Sequence, residues 1–247
     1  MNIFEYFGIS WVSHSNLELF RNDPGMWALR YIHKISDPPG DAAMRGLAAE
    51  HGCQIMHNGG EFDDPTEEAL KEFNKRTALG VDGAAREKEA GHIPGMIEQY
   101  RLLWNGDLPK LDCYQRKIEI EIPGIPVPAI GYTDFELEDT IIDLKTTTRL
   151  PSTISPAHRR QGSIYQRASD NRKVDFIYVT PKKAARYTLE DSEQDWLEVC
   201  KTAERLKNFL ELCQSKEVLT KVVVPNYDTF YWSNPQTRQA ARDIFGY

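Results

Sequence analysis

The sequence predicts an α/β protein: a helical N-terminal half, then a sheet led off by three antiparallel or mixed strands, then alternating helices and strands. Three observations predict it. Up to about residue 108 the chain reads as successive helices broken by Pro/Gly-rich stretches. From Leu111 the pattern changes to alternation, in CYQRKIEIEI and again in IGYTDFELEDTIIDLKTTT at Ile130–Thr148. Beyond Ser155 a capped helix, a continuous apolar strand at 174–180 and a long amphipathic helix follow one another. The 247 residues suffice for one domain with a full core, read as a helical lobe over about 1–108 and a sheet-containing core over about 109–247.

The elements follow in order. Residues 13–21 form a short helix capped by Ser13 or Ser15. Met26–Ile35 is helical or mixed; its Trp27, Arg30, Tyr31 and Lys34 read as core aromatics with snorkelling bases in preference to a single-strand stacking platform. After the SDPPGD break a helix spans Asp41–His57, and Ala42, Ala43, Gly46, Ala48 and Ala49 let a neighbour approach it closely. Glu50 lies in that small, apolar run; His51 beside it is an alternative ligand or an exposed surface histidine. The next helix starts at Asp64 as N-cap with Pro65 in the first helical position. Another covers about Ala84–Trp104 with an expected interruption near Gly91–Gly95. A strand over CYQRKIEIEI, a PGIPVP turn and the 130–148 ribbon come next. Ser155 and Pro156 open a helix in which Gln161 and Tyr165 share a face. VDFIYVT is a buried-type strand, PKKAARYTLE continues a basic surface, and Trp196 to Cys213 mark the core stripe of the long helix. A short helix from about Pro235 ends the chain.

The ribbon carries the chemistry. With Glu138-Asp139 as a two-residue turn, Leu137 faces Thr140, Phe135 faces Ile142 and Thr133 faces Leu144, an apolar face for a core. The other face then sets Asp134 directly across from Asp143, with Lys145 pointing the same way. Opposed carboxylates about 5 Å apart repel unless a cation lies between them. Oxygen ligands of this kind suit hard divalent ions such as Mg²⁺ and Mn²⁺. Two readings stand here: an edge hairpin with a solvated acidic face, or a phosphodiester-cleaving centre. Arg159, Arg160, Arg167, Arg172 and Lys173, with His158, make the next segment the most basic of the chain, either a solvated helix face or a phosphate contact.

The net charge of −7 argues against broad charge-driven coating of nucleic acid but leaves room for a local basic groove. No G-x-x-x-x-G-K-[ST] loop occurs, so no NTPase motor is expected. None of Cys53, Cys113, Cys200 and Cys213 forms a C-x-x-C pair, and they read as reduced structural thiols. No secretory signal or membrane span is visible, which makes the cytoplasm the expected location and the membrane no partner.

Together these residues resemble the PD-(D/E)XK nuclease superfamily, and within it the RecB-like exonucleases. Gly46-Leu-Ala-Ala-Glu50 looks like the first motif, Gly131-Tyr-Thr-Asp134 like the second, Ile142-Asp-Leu-Lys-Thr146 like the third, and Gln161-Gly-Ser-Ile-Tyr165 like the Gln-x-x-x-Tyr helix of the RecB-like members. The resemblance covers roughly residues 41–180 with gaps. It implies a restriction-endonuclease-like mixed central sheet flanked by helices, and Mg²⁺- or Mn²⁺-dependent hydrolysis of DNA. Glu50, Asp134, Asp143 and the Leu144 carbonyl would ligate one or two ions. Lys145 would position or activate water, and Gln161 and Tyr165 would order the site and touch the substrate strand, beside Arg159, Arg160 and Arg167. Several members carry an iron–sulphur cluster on cysteines that this chain lacks, so none is expected. The resemblance points to a free-standing exonuclease of recombination, repair or replication, acting on single-stranded DNA or duplex ends, with a recombination or replication protein as an expected partner. A structure-specific endonuclease and a non-catalytic DNA-binding protein with the same fold are the alternatives.

Overall fold

Helices begin where capping side chains stand. Ser13, Asp64, Ser155 and Asn234 each accept backbone N–H groups of the following turn, and proline occupies the first turn after the last three. The computed structural model describes residues 1–58, 64–80 and 83–246. In chain order the elements are α1 (Ile3–Tyr6), α2 (His14–Asn22), α3 (Pro24–Trp27) running into a π-helical turn (Ala28–Ile32), α4 (Asp41–His57), α5 (Pro65–Arg76) and α6 (Gly83–Leu103). Then come β1 (Cys113–Tyr114), β2 (Lys117–Ile120), β3 (Ala129–Tyr132), β4 (Phe135–Glu136), β5 (Thr140–Thr146), α7 (Pro156–Arg167), β6 (Lys173–Val179) and β7 (Ala184–Thr188). The chain closes with α8 (Glu193–Cys213), α9 (Lys216–Val222), a 3-10 turn (Phe230–Trp232) and α10 (Pro235–Phe245). No described helix is long and apolar enough to cross a membrane.

Three expectations need correcting. First, α6 runs without a break through Gly91 and Pro94. Its buried residues Ile93, Met96, Ile97 and Tyr100 keep one face packed, and that outweighs the hydrogen bond a helical proline forfeits. Second, CYQRKIEIEI is not one strand. β1 belongs to a five-stranded sheet and β2 pairs with β3 in a separate two-stranded sheet, the break falling at Gln115, whose φ is +51°. The ribbon's first strand breaks likewise between β3 and β4. Third, the chain does not divide near residue 108. One compact unit comprises Met1–Pro38, Glu119–Gly131 and Ser192–Tyr247; the other comprises Pro39–Ile118 and Tyr132–Asp191. Helices α4 to α6 therefore belong with the five-stranded sheet, and α8 to α10 join the N-terminal segment.

The first unit is built on buried aromatics and one buried acid. Trp27 is fully buried and packs edge-on to Phe20 and Phe209. The core role expected for Trp27 is thus observed. Asp23, also buried, accepts from the Met26 N–H at 2.9 Å, Thr229 Oγ1 at 3.0 Å and Trp232 Nε1 at 2.8 Å, so both its oxygens are satisfied.

The second unit has the strand order β1-β4-β5-β6-β7. The β5–β6 pair is parallel and the other three are antiparallel, which makes the sheet mixed. The β4–β5 register sets Phe135 opposite Ile142 and Glu136 opposite Ile141, as the alternation predicts. On one face Phe135, Ile142, Leu144, Ile177 and Val179 join Ala48 and Cys53 of α4 and Ile93, Met96 and Tyr100 of α6 in a single apolar cluster. On the other face α7 lies on β6. A Cβ at Gly162 would come within 2.6 Å of Leu189 Cδ2 and 3.0 Å of the Phe176 ring, so any larger residue there would have to displace those side chains. Asp143, Lys145, Phe176 and Tyr178 alternate with the apolar set and face this second layer.

Candidate functional site

The site arises because β5 outruns β4. The ladder between them ends at the Phe135–Ile142 pair, which leaves the N–H groups beyond Ile142 without a strand partner on that side. The Asp134 carboxylate takes the place of a strand, accepting the Leu144 N–H on Oδ2 at 2.7 Å. The N–H and C=O of one strand residue leave it on the same side, so the Leu144 carbonyl also faces this edge. Asp143 and Lys145 flank Leu144 and point to the α7 layer. Asp143 is fully buried, and its Oδ2 lies 2.6 Å from Lys145 Nζ yet accepts no hydrogen bond of ordinary geometry.

Helix α4 delivers the third carboxylate. Gly46 sits against β5, where a Cβ would lie 3.1 Å from Thr146 Oγ1. Glu50 is one turn further along the same helix face. It is 9% exposed, and its Oε1 accepts from Gln115 Nε2 at 2.8 Å.

Helix α7 supplies Gln161 and Tyr165. The Gln161 amide donates to Tyr165 Oη at 2.7 Å, and that hydroxyl reaches the Tyr132 carbonyl at 2.8 Å and Asp143 Oδ1 at 3.2 Å. A phenol has one proton to give, so the two acceptors share it. His158 stacks on Phe176, and its Nδ1 lies 2.7 Å from Tyr178 Oη, opposite Lys145 in the β5–β6 register.

Burial and mutual repulsion dominate the electrostatics. Burial raises the Asp134 pKa well above the usual range, and the charges of Asp143 and Glu50 push it further. Burial likewise raises Glu50, with the Gln115 hydrogen bond acting against it. Burial works against the Lys145 ammonium, but the neighbouring Asp143 and Asp134 more than offset this and raise its pKa. Tyr165 is raised well above a normal phenol by burial and by Asp143, so it remains a donor. Glu50, Asp134 and Asp143 thus act on one another's charge, and Lys145, paired with Asp143, offsets part of it at Asp134 and Glu50. Among the described residues no group of three or more His, Cys, Asp and Glu side chains forms a ready-made metal-ligand set. Each acid is turned to a donor of the chain itself: Glu50 to Gln115, Asp134 to Leu144, Asp143 to Lys145.

The structure therefore brings Glu50, Asp134, Asp143, Leu144, Lys145, Gln161 and Tyr165 together. The arginines of α7 are dispersed. Arg160 is 7% exposed, so it is not part of a solvated basic face. Arg159 donates to the Glu190 and Asp191 carbonyls at 3.1 and 2.7 Å, and Arg167 is exposed. Arg172 is turned inward to Glu136, at 2.8 Å. Sequence reasoning missed Gln115. Its signal was present: Gln115-Arg116-Lys117 places three polar residues in a row inside an otherwise alternating strand.

These features define an α/β protein with a mixed five-stranded sheet flanked by helices and a buried carboxylate–lysine cluster at the edge of its central strand. No protein-family model and no curated protein matches the chain. A solved structure, the crystal structure of SSO0001, aligns with 78% of this chain and 85% of that one at 13% identity and a TM-score of 0.34, a likeness too weak to bear on fold or activity.

Proposed function

We propose that the chain is a divalent-metal-dependent DNA exonuclease with a restriction-endonuclease-like fold, acting in the cytoplasm in recombination, repair or replication. The observation that carries the reading is the edge of β5, where Asp134 accepts the Leu144 N–H, Asp143 lies 2.6 Å from Lys145, and the charges of Asp143 and Glu50 both act on Asp134. Glu50, Asp134, Asp143 and the Leu144 carbonyl are the groups that would hold Mg²⁺ or Mn²⁺. Such a cation supplies Lewis acidity, lowering the pKa of water and offsetting charge on a phosphodiester.

The chain's own groups do the rest. Lys145 keeps its proton beside Asp143 and offers positive charge to the phosphate that enters the site. Tyr165, fixed by Gln161, holds Asp143 Oδ1 in place. Gly162, by letting α7 sit close on β6, sets the distance from which Tyr165 reaches Asp143. The cluster lies under α7 and against α4, a partly dry setting in which each charge acts more strongly than it would in water.

Digestion of end-labelled single- and double-stranded oligonucleotides with Mg²⁺ or Mn²⁺ tests the reading. Progressive shortening from an end, with circular DNA left intact, is expected. No cleavage under either metal overturns the reading, and nicking of circles replaces it with an endonuclease.

A further inference from the structure

Gln115 belongs to none of the four motifs, yet it touches two of the three acids. It lies between β1 and β2 with φ +51°, a backbone region that residues other than glycine rarely adopt. In that conformation its backbone N–H donates to the Asp134 carbonyl at 3.0 Å. Its side-chain Nε2 donates to Glu50 Oε1 at 2.8 Å and to Tyr114 Oη at 3.2 Å. One residue therefore fixes the main chain of one acid and the carboxylate of another. Strained backbone conformations persist where the surroundings over-determine them, and they gather at functional sites.

The chemistry of the side chain matters as much as its place. An arginine or lysine there would neutralise Glu50 and compete with a cation for it. An amide is a neutral donor: beside the Tyr114 hydroxyl, which also hydrogen-bonds Glu50, it orients the carboxylate and leaves the group's negative charge in place. Partners of this kind are what aim metal-ligating carboxylates.

We propose that Gln115 is a positioning residue that holds Glu50 and Asp134 for a divalent cation. The inference rests on the metal-dependent reading above, and the test separates the two. Mn²⁺ affinity is measured by calorimetry on the full chain and on Gln115→Gly and Gln115→Asn, alongside thermal unfolding without divalent cation. Glycine suits a φ of +51° and removes the amide. Asparagine tolerates the same backbone but is one methylene shorter. The expected result is Mn²⁺ binding weakened about 10- to 100-fold in the glycine variant, an intermediate loss in the asparagine variant, and an unfolding temperature without cation no lower than that of the native chain. A purely structural role moves the unfolding temperature and leaves the affinity alone. Native chain that binds and cleaves while both variants bind Mn²⁺ within about twofold of it overturns this proposal only; native chain that binds no Mn²⁺ overturns both. Should the glycine variant fail to fold, the asparagine variant decides by the same criterion.

Discussion

Two groups of carboxylates gather at the five-stranded sheet, and they are treated in opposite ways. Glu136, 3% exposed, receives Arg116 Nε at 2.7 Å, Arg172 Nη1 at 2.8 Å and Thr133 Oγ1 at 2.9 Å. Asp175, fully buried, receives Arg186 Nε at 2.6 Å and Thr188 Oγ1 at 2.7 Å, with Lys173 Nζ 3.3 Å away. Each of these acids has two cations near it. At the edge of β5 the ratio is reversed: Asp134, Asp143 and Glu50 share Lys145. A buried charge that is paired and hydrogen-bonded serves the fold, and breaking such a pair is costly. Buried acids left short of positive charge cost stability in the free protein and leave room for a cation from outside.

The largest effect expected from this contrast is on catalysis. Asp143→Asn should lower Mg²⁺-dependent DNA cleavage by on the order of 10³-fold or more, since losing several kcal/mol of transition-state charge stabilisation has that consequence. Initial rates on end-labelled DNA check it. Stability should follow the opposite order. Glu136→Ala and Asp175→Ala each strand two basic side chains and should cost about 3–5 kcal/mol. Asp143→Asn relieves repulsion on Asp134 but takes the carboxylate from Lys145, so the two effects offset and stability should stay within about 1 kcal/mol of the native chain. Urea unfolding without divalent cation separates the two groups; equal losses would erase the distinction between them.

A smaller effect concerns pH. His57 is buried with Nδ1 2.6 Å from the Pro109 carbonyl and Nε2 2.6 Å from Tyr100 Oη. The carbonyl requires a proton on Nδ1, and in the neutral ring Nε2 then accepts from the tyrosine. Burial lowers its pKa below the ordinary 6.5, although the Pro109 hydrogen bond opposes the shift. The unfolded chain therefore binds the extra proton first. Stability from this group is complete above pH 6.5 and is lost as pH falls from there through the lowered folded-state value. The slope in that window is at most about 1.4 kcal/mol per pH unit, and His57→Gln should flatten it in urea titrations between pH 7 and 5. The smallest effect belongs to the surface: Arg167→Ala should reduce the salt dependence of DNA binding by roughly one unit of slope, with little change in stability.

The sequence reveals the sheet register well and the site's supports poorly. Phe135 and Ile142 pair as predicted because side-chain alternation and one buried face leave a single acceptable register. Asp134, Asp143 and Lys145 were legible for the same reason, since period-two patterning assigns faces directly. The gathering of Glu50 to them was signalled by the small residues of α4, of which Gly46 meets β5. The break at Gln115 is marked in the sequence only by the polar run Gln115-Arg116-Lys117; its left-handed backbone carries no propensity signature and depends on contacts far along the chain. Arg160 shows the limit of charge patterning: a run of arginines reads as a solvated face, whereas helix geometry turns one of them inward. The division of the chain was also hidden, because residues 119–131 and the C-terminal helices join the N-terminal segment through non-local packing.

The account depends on the acids at the edge of β5 taking up a divalent cation. Manganese anomalous scattering from crystals grown with Mn²⁺ tests this directly. A difference peak bounded by the carboxylates of Asp134 and Asp143 and the Leu144 carbonyl, roughly 2–2.6 Å from each oxygen, is the predicted result. Manganese found elsewhere, with Lys145 still the sole cation against Asp143, would contradict it.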